Sequence, residues 1–181
     1  MPPSEPLIRH IVEKLTAVLP DCLVVTNSPE LYAFLGLPMV PDVFPGSGSL
    51  GGIYSGLTAV PREAALCVAC DMPFLSTGLL RYLAERAGEA DVVIPDAAGE
   101  LQTLHAVYGK ACRPAMERRL RAGQLKITGF FDEVRVLRIP EAVVARFATP
   151  ELAFMNLNTP DDLPRAQALW AEQGADAKAG A

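Results

Sequence analysis

The residue best placed to do chemistry is Asp71, a carboxylate that ends the apolar run AALCVACDMPFL at positions 64–75. Residues 66–70 form a short continuous apolar segment, which is typical of a strand buried on both faces of a parallel sheet. Pro73 stops that segment because proline has no N–H to donate to a sheet. Open α/β sheets bind ligands at the carboxyl ends of such strands, so the position predicts a magnesium or ribose contact for Asp71. The alternative is a turn aspartate that caps the following helix.

A glycine-rich stretch is the second candidate, since Gly46-Ser-Gly-Ser-Leu-Gly51 is a literal G-x-G-x-x-G that precedes Asp71 by 20 residues. At face value this is a dinucleotide-binding fingerprint, which needs a strand running directly into Gly46. The intervening PDVFP at 41–45 contains two prolines and favours an irregular loop. Two other interpretations stay open. One is a flexible loop without a ligand, and the other is a helix start where the N–H groups of Gly51 and Gly52 approach a nucleotide or an anionic pterin.

Cys67 and Cys70 form a C-x-x-C motif, the spacing of many redox and zinc sites. Redox motifs usually lie at a helix N-terminus, where the helix dipole lowers the thiol pKa, whereas these cysteines fall in a predicted strand. Residues three apart on a strand point to opposite faces, and the sequence has no second C-x-x-C or histidine pair to complete a metal site. We therefore expect buried structural thiols.

Other polar residues have plain structural interpretations. His105 lies in an apolar strand pattern, which predicts a hydrogen-bonded core histidine rather than a catalytic base. The basic residues at 118, 119, 121 and 126 are expected to form a solvated helix face rather than a phosphate site.

Composition narrows the functional class. The chain has 181 residues, is half apolar, and carries 20% charged residues with a net charge of −5. This balance predicts neither a nucleic-acid partner nor a membrane surface, although a local nucleotide pocket is compatible with it. No apolar run is long enough to span a bilayer, and residues 1–10 lack the apolar core of a secretory signal. We therefore expect a cytoplasmic, reducing location and four free thiols.

The elements that must position these residues alternate along the chain. Apolar spacing and capping residues predict helices over 7–19, 28–35, 50–60, 79–87, 111–122 and 160–170. Short apolar runs predict strands over 23–25, 38–40, 66–70, 91–94, 102–108 and 134–139. The alternation predicts an α/β fold with a doubly wound, mostly parallel sheet. We expect one domain over residues 1–173 and a disordered tail over 174–181.

Six segments, taken in order, resemble the molybdenum cofactor guanylyltransferase family. They are PLIRHIVEKL (6–15), VVTNSPELYAFLGLPMVPD (24–42), FPGSGSLGGIYSGL (44–57), VACDMPFL (68–75), LHAVY (104–108) and MNLNTPDDL (155–163). The most specific are ACDMPFL and the N-x-N-T-P-[DE]-D pattern, because cytidylyl relatives tend to have CDQP and N-x-D-T-P instead. The resemblance implies a Rossmann-like fold of the nucleotide-diphospho-sugar-transferase type.

The same resemblance implies a reaction. GMP would be transferred from GTP to the terminal phosphate of a molybdopterin-type cofactor, with release of pyrophosphate. The implied substrates are GTP and that cofactor, the implied metal is Mg²⁺, and the implied protein partners are molybdoenzymes or their chaperones.

Individual residues match the family's motifs. Asp71 matches its magnesium-binding aspartate, and Asn27 and Asp42 match positions that contact the guanosine part. Asn156 and Asn158 match the motif that closes the active site, where an amide oxygen assists the metal. From the residues alone, Asn27 and Asp42 can equally be turn residues and Asn158 a helix cap.

The chain departs from the family at its start. The family opens with a strand that runs into a glycine-rich loop, L-A-G-G-x-S-x-R-M-G, followed by a lysine, and these elements cradle the triphosphate. Here residues 1–5, MPPSE, lead straight into the first helix. In the family's topology the absent strand lies between the predicted strands at 23–25 and 66–69. We therefore expect a sheet that lacks its usual first strand, a poorly stable domain and poor catalysis by the chain as written.

Two other functions stay open. An oxidoreductase of the NAD type would use the GSGSLG loop and requires a strand that abuts Gly46. A non-catalytic remnant would bind the pterin cofactor or a nucleotide, or take part in its delivery, without turning over GTP.

Overall fold

Helices and strands are interspersed from residue 7 to residue 153. The computed structural model describes residues 6–157, 159, 162, 164 and 166–169. The helices are α1 (Leu7–Thr16), α2 (Gly48–Ala59), α3 (Thr77–Ala84), α4 (Arg113–Arg121), α5 (Glu141–Val144) and α6 (Pro150–Ala153). The strands are β1 (Val24–Val25), β2 (Met39–Val40), β3 (Ala64–Val68), β4 (Val92–Ala97), β5 (Glu100–Leu101), β6 (His105–Gly109) and β7 (Val136–Pro140). No helix in the described part of the chain is long and apolar enough to cross a membrane.

Most predicted elements are present, with two qualifications. The predicted helix over 28–35 is two short 3-10 turns, Pro29–Leu31 and Ala33–Leu35, and Ser28 makes no side-chain capping hydrogen bond. A segment this short gains too few hydrogen bonds to offset α-helix nucleation. Most of the predicted helix over 160–170, and the whole predicted tail over 174–181, lie outside the described residues.

The central sheet confirms the α/β class. It has five strands, with β3, β6, β4 and β5 in that order and β7 paired with β4. Strands β4 and β7 are parallel, whereas β6 is antiparallel to both β3 and β4, and β5 is antiparallel to β4. The sheet is therefore mixed rather than mostly parallel by pairing. The reason is local, because the connections from β4 to β5 to β6 are too short to contain the crossover that parallel pairing requires.

Strands β1 and β2 form a separate, parallel two-stranded sheet. Helix α2 contacts β1, β2 and β3 and so supports both sheets. The contact with β1 is close, because a Cβ atom on Gly56 would lie 3.3 Å from Cγ2 of Val25. Helix α2 is thus the element that holds the ends of β1 and β2 relative to the central sheet.

The core lies on both faces of the central sheet. On one face, α2 and α4 pack on residues of β4 and β6, with Leu50, Leu57, Ile94, Tyr108 and Phe130 fully buried. On the other face, Leu79 and Leu83 of α3 pack with Val93, Val107 and Phe154. Helix α1 covers the region after β3, where Ile11 packs with Met72, Leu75 and Leu80.

Strand β3 is less enclosed than the sequence predicts, because all five of its residues are half-buried. The hydrogen bonds from Lys110 N to Glu63 O and from Ala69 N to Leu104 O fix the register with β6. In that register the N–H and C=O groups of Ala64, Leu66 and Val68 point away from β6. None of the three has a backbone hydrogen bond to a described residue on that side. Within the described residues, strand β3 is therefore an open edge of the central sheet.

Candidate active site

Asp71 lies in a turn three residues beyond the end of β3. It does not cap α3, because the N-cap is Ser76, whose hydroxyl accepts a hydrogen bond from Leu79 N. The Oδ1 atom of Asp71 is buried and has no hydrogen-bond partner among the described residues. A buried carboxylate oxygen without a partner is costly, so this atom is a candidate for binding a cation.

The segment that contains Asn156 meets Asp71 through its backbone. The N–H of Leu157 donates a hydrogen bond of 2.9 Å to the carbonyl oxygen of Asp71. Asn156, the preceding residue, is exposed. The contact brings residues 156 and 157 to the carboxyl end of β3, and Asn158 lies outside the described residues.

Asn27 and Asp42 are in direct contact, although 15 residues separate them. Asn27 follows β1 and Asp42 follows β2, and the carboxyl ends of parallel neighbours lie at one edge of a sheet. The Oδ1 atom of Asn27 accepts the backbone N–H of Asp42 at 2.9 Å. The side chain of Asn27 therefore fixes the loop that presents Asp42.

Ser55 is a member of this group that sequence reasoning missed. Its buried hydroxyl lies 2.7 Å from the carbonyl oxygen of Gly51 and 3.2 Å from Oδ1 of Asp42, and it accepts the N–H of Val43 at 2.9 Å. The hydroxyl links α2 to the Asp42 loop. The available signal was a small hydroxyl residue inside the apolar stripe of α2.

Backbone conformation and packing explain why glycine occupies several positions of the glycine-rich loop. Gly46 and Gly48 have φ values of 77° and 56°, in the left-handed region that favours glycine. Gly51 is tightly enclosed, because an added Cβ atom would lie 3.0 Å from Ser47 Cβ and 3.2 Å from Phe44 O. A Cβ atom on Gly52 would meet nothing within 4 Å, so this residue leaves room for close approach from outside.

Two expectations for this loop need correction. Helix α2 begins at Gly48, so the N–H of Gly51 donates to Ser47 O at 3.3 Å as part of the helix and is not free to bind an anion. The unused amides at a helix start belong to its first residues, which here precede Gly51. In addition, β2 ends at Val40 and an irregular segment separates it from Gly46. The strand that a dinucleotide fingerprint requires is absent from this described region, which removes the basis for the NAD-type alternative.

His105 is fully buried, as predicted, but its ring makes no hydrogen bond to a described residue. Neither Nδ1 nor Nε2 has a hydrogen-bond partner among the described residues. Burial lowers the pKa of this imidazole to about 4, so the ring is neutral at pH 7. Its ring packs edge-to-face on Phe154, with the ring centroids 5.2 Å apart.

Three arginines of α4 are paired with protein groups. Arg118 forms an ion pair with Glu133, and Arg121 pairs with Glu117 at 2.6 Å. Arg119 donates to Gln124 Oε1 at 3.0 Å. These contacts agree with the expected solvated helix face.

The C-x-x-C motif does not have the arrangement of a redox or zinc site. Cys67 is half-buried within β3, whereas Cys70 lies beyond the strand in the turn and is exposed. The expectation of two buried thiols is therefore wrong for Cys70, because β3 ends at Val68. Burial raises the pKa of the Cys67 thiol to about 12. Partial shielding from solvent and the neighbouring Asp71 carboxylate raise the pKa of Cys70, and both shifts disfavour the thiolate that redox chemistry needs.

The candidate residues therefore form two groups. Asn27, Asp42, Gly51 and Ser55 form a hydrogen-bonded group at the ends of β1 and β2 and the start of α2. Asp71 and the segment before Asn158 form a second group at the end of β3. The first group offers a carboxylate for a hydrogen-bond donor, and the second offers carboxylate and amide oxygens for a cation.

Comparisons with known proteins cover most of the chain. The family of MobA-like NTP transferase domains matches residues 3–138. A probable molybdenum cofactor guanylyltransferase of Pelotomaculum thermopropionicum is 38% identical over 165 residues, covering 91% of this chain and 80% of the relative. The molybdenum cofactor guanylyltransferase of Desulfosudis oleivorans is 32% identical over 164 residues, covering 90% and 81%. The crystal structure of molybdopterin-guanine dinucleotide biosynthesis protein A from Archaeoglobus fulgidus superposes with a TM-score of 0.79 at 27% identity, covering 92% of this chain and 86% of that one.

Proposed function

The chain belongs to the family of MobA-like NTP transferase domains, and on that premise we propose that it transfers GMP from GTP to a molybdopterin-type molybdenum cofactor. The products are the guanine dinucleotide form of the cofactor and pyrophosphate. The observation that carries the assignment of the reacting centre is the buried, unpartnered Oδ1 of Asp71 beside the segment that contains Asn156.

The reaction needs no covalent enzyme intermediate. A phosphate oxygen of the acceptor attacks the α-phosphorus of GTP, and a new P–O bond forms. The bond from the α-phosphorus to the bridging oxygen of the pyrophosphate breaks, and the pyrophosphate leaves with that electron pair. The work of the protein is to align the two substrates and to neutralise phosphate charge.

Asp42 recognises the base in this proposal. A carboxylate can accept the paired N1–H and N2–H donors of guanine, which adenine and cytosine do not present together. Asn27 acts on Asp42 by holding its backbone N–H at 2.9 Å, and the hydroxyl of Ser55 orients its Oδ1. Gly52, which is open to close approach, borders the phosphates or the pterin. Gly51 contributes packing space for the loop rather than a free amide.

Asp71 would hold Mg²⁺, and the amide oxygens of Asn156 and Asn158 would support it. The donor set fits this ion, since Mg²⁺ in nucleotide sites is typically bound by one or two carboxylates together with substrate phosphates and water. A protein cage is not needed, and the described residues contain no cluster of three or more His, Cys, Asp or Glu side chains. When bound, the metal neutralises charge on the phosphate oxygens. Molybdoenzymes or their chaperones are the proposed recipients of the product, and the cytoplasm is the proposed location.

A transfer assay with GTP labelled at the α-phosphate, molybdopterin cofactor and a titration of Mg²⁺ tests the proposal. We expect label to move to the cofactor with release of pyrophosphate. Asp71→Asn keeps the shape of the side chain but removes its charge, and should lower the Mg²⁺-dependent rate by about a hundredfold. Asp96→Asn is the matched control, because Asp96 is a partly exposed carboxylate that pairs with Arg138 on the surface of β4 and β7.

Three outcomes of this assay would contradict parts of the proposal. An unchanged rate in Asp71→Asn would move the metal site elsewhere. Equal competition by CTP and GTP would refute the role of Asp42 in guanine recognition. Binding of GTP and cofactor without any transfer by the unmodified chain would favour the non-catalytic binding function.

A further inference from the structure

His105 combines complete burial with two unused polar atoms. Its exposed fraction is 0%, and neither ring nitrogen has a hydrogen-bond partner among the described residues. Buried polar atoms without partners lower stability, and natural cores rarely keep them without a reason. The ring lies on the apolar face of the sheet that also carries Val107, where a phenyl ring of similar shape would pack without that penalty.

His105 is also close to the proposed reacting centre. It is the first residue of β6 and lies directly opposite Val68, near the carboxyl end of β3. Asp71 is three residues beyond Val68. In this register His105 and Val68 form a non-hydrogen-bonded pair, the arrangement in which side chains on neighbouring strands come closest.

One short segment joins the two sites. The ring of Phe154 packs edge-to-face on His105, and the N–H of Leu157 donates to the carbonyl oxygen of Asp71. The segment 154–157 therefore runs from the buried imidazole to the turn that holds Asp71, and it carries Asn156. Both residues that anchor it, His105 and Asp71, have a buried polar atom without a partner among the described residues.

We propose that His105 is a positioning residue for the transfer reaction: its ring N–H holds a backbone carbonyl of segment 154–157, directly or through one ordered water, once Mg²⁺-GTP is bound. The inference rests on the function proposed above. Among the described residues this hydrogen bond is not formed, and the segment is held by the Phe154 ring contact and by the Leu157 N–H. The bound state gains a contact that fixes Asn156 beside Asp71. The imidazole is retained at a cost in stability because it is needed for alignment.

The test compares His105→Phe, which keeps a ring against Phe154 but removes both nitrogens, with two other variants. His105→Gln places an amide near the position of Nε2. Val107→Ala removes packing from the same strand and the same face, two residues away. Thermal unfolding, kcat and KM for GTP are measured for all of them.

The expected pattern separates positioning from packing. His105→Phe should have an equal or higher Tm than the unmodified chain, while kcat falls about 10- to 100-fold and KM for GTP changes less than about twofold. His105→Gln should recover part of kcat. Val107→Ala should have a lower Tm and a nearly unchanged kcat.

A measurement that does not depend on turnover can test the role of His105 separately from the proposed function. Hydrogen exchange of the Leu157 amide, followed with and without Mg²⁺-GTP, should slow on binding in the unmodified chain but not in His105→Phe. If the unmodified chain binds Mg²⁺-GTP without transfer, the proposed function fails while this comparison still decides the role of His105. Full activity of His105→Phe, a lower Tm for it, or an equal kcat loss in Val107→Ala would overturn the inference, as would equal protection of Leu157 in both proteins. Failure to bind Mg²⁺-GTP would overturn both.

Discussion

Strands β3 and β4 each contain a continuous apolar run but have different surroundings. In β4, all but one of the six residues are buried, whereas all five residues of β3 are half-buried. Strand β4 has neighbours on both sides, with β6 and β5 along one edge and β7 along the other. Strand β3 has β6 on one side and no strand from the described part of the chain on the other. A continuous apolar run therefore indicates that both faces are covered, and it carries no information about whether both edges are paired.

The comparison predicts the largest stability loss for a cavity in β4. Ile94 is fully buried between α2, α4 and the sheet. Ile94→Ala removes three heavy atoms from a site that cannot collapse fully, and should lower the free energy of unfolding by about 4 kcal/mol. Urea unfolding followed by circular dichroism measures this, and a loss below about 1 kcal/mol would contradict the enclosed position of β4.

Acidification should produce the next largest loss of stability. It acts through His105 on β6, the strand that lies between β3 and β4. Burial lowers its folded-state pKa from 6.5 to about 4. The unfolded chain therefore takes up a proton below pH 6.5 while the folded chain does not, so the stabilisation present above pH 6.5 is lost as the pH falls towards 4. The resulting loss in the free energy of unfolding is on the order of 3 kcal/mol. Urea unfolding at several pH values should show the free energy of unfolding falling between pH 6.5 and 4. In His105→Phe this fall should be smaller. An equal fall in both proteins would assign the pH dependence to other groups.

A cavity in β3 should cost less than one in β4. Leu66 is half-buried and packs beside α1 and α3 residues at the open edge. Leu66→Ala should lower the free energy of unfolding by about 1–2 kcal/mol, because part of the side chain already contacts solvent. A loss equal to that of Ile94→Ala in the same urea experiment would remove the distinction between the two strands.

The smallest change in the free energy of unfolding is expected when an ion pair between the loops before β1 and β3 is removed. Arg62 and Asp21 are 3.0 Å apart, with side chains 71% and 60% exposed. Exposed pairs of this kind contribute little, so Arg62→Ala should change the free energy of unfolding by less than about 0.5 kcal/mol. A larger loss, abolished by salt, would mean that this pair ties the two-stranded sheet to the central one.

The sequence predicted the elements better than their arrangement. Periodicity located α1, α2, α3 and α4 because it depends on neighbours along the chain. The direction of β6 and the separation of β1 and β2 from the central sheet depend on contacts distant in sequence, which periodicity does not contain. The same limit applies to the site: Asn27 and Asp42 were identified through motif resemblance, but their hydrogen bond was not predictable from either turn alone.

Other parts of the site depended on atomic detail. The glycines at 46, 48 and 51 form one motif in the sequence, yet the first two serve backbone conformation and the third serves close packing. For His105, burial followed from its apolar neighbours, whereas the absence of a hydrogen-bond partner could be seen only with the surrounding groups in place. Sequence patterns report which residues are inside, and they do not report whether a polar atom inside is satisfied.

The open edge of β3 also bears on how the protein behaves at different concentrations. The three residues with outward backbone groups, Ala64, Leu66 and Val68, have apolar side chains and contain neither proline nor a charge that would discourage another strand. Pairing between such edges is a bimolecular process, so its rate grows with the square of protein concentration, whereas unfolding of a single chain does not depend on concentration at all. Edge pairing would therefore make self-association depend on protein concentration, whereas the stability that the enclosed strands contribute to a single chain does not depend on it.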